Sequence, residues 1–548
     1  MANYGQFEMT IADLRDTNPL YNDNVNYWRF LMASYEGIRT LVKEGYVLYR
    51  HERESENNFN RRIAEAYSLG YSSSIVDLFN FYLFKRHPIR DLNPLNNDKQ
   101  WKQFENDCNL YGDDWLVWLL ESQRWAGVMG HCGVLVDKSS QSFQTSDEEL
   151  QAGVYPYVAR YFPQNILDWE YKKDGNNRPY LAYVKLLDSD GQYRIWTTEW
   201  WAVYTIPEDG TGNQTTVIDV TTGELRGGGG ASAATEEQKL VSIASGPNPF
   251  IDPSTGRGEI PFVWFYNIKS KERPIGISDI KDVAYIDGAI IRNLSEGEEV
   301  ISYGAFPMMR KPMIDSGQSV GNDLAGVTGI LEFDPEMPDS KPDWLESKVS
   351  EPIKAILQWI ELKVNEIYRT SNVGGLAATE IQSQARSGTA LKSEFQLLNG
   401  KLISKGANAE EAEKSIIKYW LMWQNKEDLN DKILIEWPDS YDIEDLTQDL
   451  ENTLTAKTII LSKTFSAEIQ KKLARGMLKN ASIETLDNID TEIEEAADSN
   501  DVEFGDIPDK NTIAEGDMAG NSVSIPVNPG NNEIPVIEEK IEETEMIE

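Results

Sequence analysis

The stretch Ser387–Trp420, SGTALKSEFQLLNGKLISKGANAEEAEKSIIKYW, decides the fold. It opens on small polar residues. Leu391, Phe395, Leu398 and Leu402 then step by 4, 3 and 4, which is one face of a helix. Gly406 interrupts the run, and Asn408 with Glu411 three residues on resembles a capping box. Ala412, Ile416, Tyr419 and Trp423 resume the stripe. The expectation is a long helix over 389–442, kinked or briefly broken at Gly406.

Upstream, residues 370–388 are weakly patterned and hold Gly374, Gly375 and Gly388, which give the backbone freedom. A segment this pliant between two periodic ones reads as a loop. Before it, Val349, Ile353, Ile356, Ile360, Val364 and Ile367 recur at three and four, so a helix is expected over 344–369. Ser350 to Arg369 would span about 30 Å at 1.5 Å per residue. Leu357, Trp359 and Leu362 widen its apolar surface beyond one stripe, so it needs neighbours on more than one side.

Ile280, Val283, Ala284, Ile290, Ile291 and Leu294 mark an earlier helix over 269–303, with Ser278 as its expected N-cap. Residues 304–343 between the two helices are broken by Pro and Gly and carry short strand-like runs, AFPMMRKPMI and TGILEFD. Residues 19–126 read as helical. Residues 133–268 read as a mainly antiparallel β unit, rich in β-branched and aromatic residues. Further helices are expected over 443–499. The fold class is α+β.

Charge narrows the function. The chain has 548 residues with 90 acids against 52 bases, a net of −38. Residues 499–548 hold 13 acids and 2 bases, and residues 500–548 read as a disordered acidic tail. Such a balance opposes tight gripping of nucleic acid, whose phosphates are held by Lys and Arg. It permits an acidic conduit that lets DNA slide. Self-repulsion on that scale predicts that assembly is favoured by salt or divalent cations.

Two cysteines and three histidines allow no disulfide framework and no zinc pattern, so no metal and no cofactor is expected. No run of 18 apolar residues appears, so no membrane span is expected. The N-terminus lacks the basic and apolar parts of a signal peptide.

No catalytic residue stands out. Gly227–Gly230 lacks the Lys-Ser/Thr pair of a phosphate loop and reads as a surface loop. Glu199, beside Trp200 and Trp201, suggests a sugar site, but an exposed acid on an aromatic sheet is the plainer reading. His131 and Cys132 are adjacent, and neighbours on a strand point to opposite faces, so they form no nucleophilic pair.

The order of parts (helical region, β unit, helix, short insert, helix, loop, long helix, further helices) resembles the portal proteins of tailed bacteriophages. NPLYNDNVNYWRFLMASYEGIRTLVKEGYVLYRHERESENNFNRRIAEAYS, GVLVDK, RPIGISDI and the stretch from Ser387 carry the resemblance, over roughly residues 15–495. It implies a homo-oligomeric ring, usually a dodecamer, at one capsid vertex. Double-stranded DNA would pass through it without sequence readout during packaging and ejection.

Residues 1–268 would be the wing, 269–303 and 344–369 the stem, and 304–343 the clip. In the clip, Met308, Met309, Arg310 and Lys311 would dock the terminase large subunit and the head-to-tail adaptor. Residues 370–388 would be the tunnel loop, with Gly374, Gly375, Gln382, Gln384, Arg386, Ser387 and Gly388 facing DNA. Residues 443–499 would be the crown. Ile353, Ile356, Ile360, Val364 and Ile367 would pack subunit on subunit. Major capsid and scaffolding proteins would be further partners, in a virion assembled in the bacterial cytoplasm. The alternatives are another virion structural protein, or a soluble acidic carbohydrate-active enzyme.

Overall fold

A computed structural model of the protein describes residues 9–139, 143, 145–206, 241–252, 257–305, 308–310, 343–345, 349–371, 388–441, 467, 470, 471, 474 and 483–498. By internal contacts the chain divides into residues 1–443 and 444–548. Helix and sheet are both present, and the fold is α+β.

The first unit begins with α1 (Ile11–Arg15), α2 (Pro19–Glu36), α3 (Ile38–Lys43), α4 (Glu56–Glu65) and α5 (Tyr71–Phe84). After strand β1 (Ile89–Asp91) come α6 (Lys99–Asn106) and α7 (Trp115–Met129). Their starts are written locally. The Asn18, Ser55, Asp98 and Asp114 side chains accept from the first free N–H groups of α2, α4, α6 and α7, and Pro19 sits where its missing N–H costs nothing. The expected all-helical run over 19–126 is thus interrupted once. β1 pairs antiparallel with β16 (Leu434–Glu436), a partner more than 300 residues away that no local pattern announces.

The β unit is antiparallel, as expected. β2 (His131–Asp137) lies between β3 (Tyr157–Tyr161) and β11 (Phe262–Tyr266). A second sheet runs in sequence order through β4 (Ile166–Lys173), β5 (Pro179–Leu187), β6 (Tyr193–Thr197), β7 (Trp200–Thr205) and β8 (Val241–Pro247). A short helix, α8 (Ser146–Gln151), capped by Thr145, sits inside this region. Arg194 of β6 donates to Asp137 of β2 at 2.7 Å and to Asp188 at 3.1 Å, tying the two sheets together. Gly227–Gly230 lies outside the described residues.

One core joins helices and sheet. Trp101 meets Trp420 edge-on at 4.9 Å, and Trp115 stacks on Trp118 at 5.4 Å. Rings of this size bury large apolar areas and fix their neighbours' geometry. Gly133 is required here, because a Cβ there would lie 2.3 Å from Phe262.

The long helix, Gly388–Trp423, has 36 residues and spans about 54 Å. It is continuous, which corrects the expected break at Gly406. Gly406 is there for contact: a Cβ would sit 2.6 Å from the Tyr441 hydroxyl. Asn408 caps nothing; its amide donates to the Asn267 carbonyl at 3.0 Å. Glu411 pairs with Lys269.

In the second unit, residues 467, 470, 471 and 474 are helical, and a further helix runs Ile483–Asp498. Lys471 pairs with Glu494 at 2.5 Å. The rest of the expected 443–499 helices, and the acidic tail, lie outside the described residues.

Candidate functional site

Helices α9 (Val283–Ala305) and α10 (Ser350–Ser371) form a pair. Each spans about 33–35 Å. They are antiparallel. Ile356 approaches Gly297, whereas Lys363 reaches the Ala289 carbonyl and the Asn293 side chain, so positions fall along one helix as they rise along the other. Gly297 faces Ile356 across the pair, and a Cβ there would meet the Ile356 methyl at 3.7 Å, an ordinary contact.

At the far end, β14 (Met308–Arg310) pairs antiparallel with β15 (Asp343–Leu345), closing the base of the insert. Both elements adjust the expected boundaries. α9 runs two residues past 303, and Trp344 and Leu345 belong to a strand rather than to the following helix. α10 continues to Ser371, and Gly388 is already the first residue of the long helix.

The stripe expected on α10 is present, and its use is now visible. Ile367 is fully buried and Ile360 and Val364 are half-buried against the core of the same chain, while Ile353 and Ile356 are half-buried further out. The residues expected to pack between subunits are therefore largely engaged within the chain. What remains outward is the second apolar set: Leu357 is 60% exposed, Trp359 52% and Leu362 50%. Around the helix, Leu357 lies on one flank of the stripe and Trp359 and Leu362 on the other, so both flanks are greasy. Lys363 stands 5.5 Å from the Trp359 ring centre, and burial together with the nearby Arg292 lowers its pKa.

The near end of the pair is gripped by two lysines one turn apart on the long helix. Lys405 donates to Asp279, just ahead of α9, at 2.5 Å, and both side chains are only 2% exposed. The other Asp279 oxygen accepts from Asn267 at 3.0 Å, and Asn267 in turn accepts from Gln123. Asp279 N–H donates to the Gly127 carbonyl, and a Cβ on Gly127 would strike the Asp279 carboxylate at 2.9 Å.

Lys401 donates to the carbonyl of Ser371, the last residue of α10, at 3.2 Å. Both ammonium groups face the Phe79 ring, at 4.8 and 5.5 Å. Burial lowers the Lys401 pKa. The long helix thus holds the lead-in of α9 and the end of α10 at one place. Ser278 is not the N-cap of α9, which starts at Val283; its hydroxyl accepts from Ile280 N–H in the turn ahead of the helix and donates to the Val128 carbonyl.

A second grip lies about two thirds of the way along the long helix, two turns beyond Lys405. Glu413, fully buried, accepts from Arg90 at 2.5 Å, Trp115 at 3.2 Å and Trp437 at 2.9 Å. This carboxylate fastens the long helix to three separate elements.

The insert and the loop are the parts least available to description. Lys311 and the loop residues Gly374, Gly375, Gln382, Gln384, Arg386 and Ser387 lie outside the described residues. Met308, Met309 and Arg310 are placed on β14.

Glu199 is exposed in the turn between β6 and β7, and Trp196 stacks on Trp201 beneath it at 5.9 Å. His131 and Cys132 are both buried. The thiol, pushed up to about 12 by burial, points at the Ser122 carbonyl, 3.7 Å away. The His131 ring lies among Trp28, Trp264 and Tyr266, accepts from Gly276 N–H, and is pushed down to about 3 by burial. Among the described residues, no group of three or more His, Cys, Asp or Glu side chains is placed to hold a metal ion, and no helix is long and apolar enough to cross a membrane. No family model and no curated protein sequence matches the chain.

Proposed function

We propose that this chain is the subunit of a portal ring, a channel at one vertex of a phage capsid through which double-stranded DNA is packaged and later ejected. One observation carries the reading. A pair of helices about 33–35 Å long is packed on its own chain along one stripe, and it keeps Leu357, Trp359 and Leu362 at least half-exposed on both flanks. Large apolar side chains left on opposite flanks of a helix call for a neighbour on each side. Copies arranged around an axis supply two neighbours to every copy, and a closed ring leaves none unsatisfied.

Electrostatics support the same arrangement. α9 and α10 together carry seven acids and four bases, so a wall of such pairs repels phosphate rather than gripping it. DNA contact then falls to the short segment between α10 and the long helix, where Arg386, Gln382 and Gln384 supply one charge and two amides per copy. Such contacts position a duplex without reading its bases. Lys401 ties the end of α10, where that segment begins, to the long helix on which the segment ends, so a push on the segment is borne by the body of the subunit.

In this reading the chain is no enzyme. A separate ATPase motor, the terminase large subunit, docks with the tail adaptor on the insert between α9 and α10. The outer region meets capsid and scaffolding proteins. Deleting Val373–Gln384 tests the DNA role: rings still form, and packaging or retention of DNA fails. Normal packaging by that variant would remove the segment's assigned role.

A further inference from the structure

A small recess opens where α4 lies against α9. Arg61, Glu65, Tyr67, Ser295, Glu298 and Glu299 line it. The neighbouring Arg62 is already neutralised, because it pairs with Glu54 at 2.9 Å with both side chains buried. Three carboxylates therefore face one remaining guanidinium, and the recess is net negative. Tyr67 donates to Glu298 at 3.0 Å, which holds that carboxylate in place. Ser295 is 6% exposed, and its hydroxyl has no hydrogen-bond partner among the described residues. A buried hydroxyl left alone is costly, and one that lines an acidic recess is suited to a donor that comes from outside.

The helix pair indicates which donor. Gly297 stands level with Ile356, so the recess, at Ser295–Ser302 on α9, stands level with residues 351–358 of α10. Within 351–358 the only base is Lys354. Its side chain is 69% exposed, and among the described residues its ammonium pairs with Glu351 at 3.6 Å. Leu357, one turn on and 60% exposed, shares its flank. Rotation about an axis along the helix pair brings equal heights of adjacent copies together.

We propose that Lys354 of one copy seats its ammonium in the α4–α9 recess of the next. There it meets Glu298, Glu299 and the Ser295 hydroxyl, while Leu357 covers the rim beside Ala66 and Tyr67. The proposal rests on the ring reading and specifies which surfaces mate within it. A charge-assisted contact of this kind sets register between copies and disfavours wrong pairings.

The test measures ring fraction by native mass spectrometry on purified full-length chain at fixed concentration. Lys354→Glu places a fourth carboxylate in the recess and is expected to lower the ring fraction about tenfold or more. Glu298→Lys with Glu299→Lys does the same. The triple variant, with the charges exchanged, recovers rings. Lys354 and Glu298 are exposed and Glu299 is half-buried; the thermal midpoint of the dissociated chain, expected to stay at the unmodified value, separates lost assembly from lost folding. Rings that persist in Lys354→Glu, or a triple variant no better than its parents, would overturn the seating of Lys354 while leaving the ring itself standing. An unmodified chain that forms no ring would overturn both.

Discussion

Two surfaces of the same helix pair are built on opposite principles. At its near end, charges are buried and every one has a partner: Lys405 with Asp279, Asp279 with Asn267, Lys401 with the end of α10. Along its outer flanks, Leu357, Trp359 and Leu362 are apolar and uncovered. Burying a charge is costly and is tolerated where geometry is exact and permanent. Exposing large apolar groups is tolerated where a neighbour will cover them. The first surface is a finished joint within one chain, and the second is half of a joint between chains.

The contrast has measurable consequences. The largest is at the buried joint. Lys405→Met strands the Asp279 carboxylate and is expected to cost about 3–5 kcal/mol of stability, seen as a fall in the denaturant midpoint. Adding Asp279→Asn should recover much of it. A loss under about 1 kcal/mol would mean the pair is solvated and the joint is not what holds the helices.

Next in size is acid sensitivity. His131 is held neutral with a pKa near 3, against an ordinary value near 6.5. Its folded pKa is depressed, so the unfolded chain binds the proton first, and this share of stability is lost as pH falls below about 6.5, at up to about 1.4 kcal/mol per unit. The difference between the native chain and His131→Phe should narrow steadily from pH 6.5 to pH 4. A constant difference would place the ring in water.

Gly406→Ala is expected to cost about 1–3 kcal/mol through the Tyr441 hydroxyl. Tyr441→Phe should relieve it, since Ala is the better helix former by about 1 kcal/mol.

The smallest effect on stability belongs to the open face. Leu357→Ser and Leu362→Ser should change the monomer's unfolding by no more than about 0.5 kcal/mol, yet shift the chain from assembled to free on a sizing column. If they unfold the chain instead, the two surfaces are not different in kind.

Much of this was legible in advance, for one physical reason: a 3.6-residue period records which side of a helix meets apolar neighbours. The α10 stripe and the long helix both announced themselves that way. What the period could not say is who the neighbour is, and so Ile360, Val364 and Ile367 were assigned across subunits when their own chain covers them. Gly406 misled because a glycine looks the same whether it breaks a helix or admits a distant side chain; Tyr441 is 35 residues away.

The lysine grip went unseen because lysines ordinarily mark a solvated face. One sign was available. Leu398, Leu402, Lys405, Ala409, Ala412 and Ile416 step by 4, 3, 4, 3 and 4, so Lys405 stands inside the apolar stripe. Glu413, between Ala409 and Ile416, shows the same sign. Asp279, the partner of Lys405, left no such mark, because it precedes a helix rather than interrupting a pattern.

The central claim is that the exposed flanks of the helix pair are closed by other copies of the chain. Native mass spectrometry of the purified full-length protein, with negative-stain images of the same sample, tests it most directly. The account predicts a single closed multiple of the 62.1 kDa chain, seen end-on as a ring with a central hole. A monodisperse 62.1 kDa particle across salt concentrations and protein concentrations would contradict it.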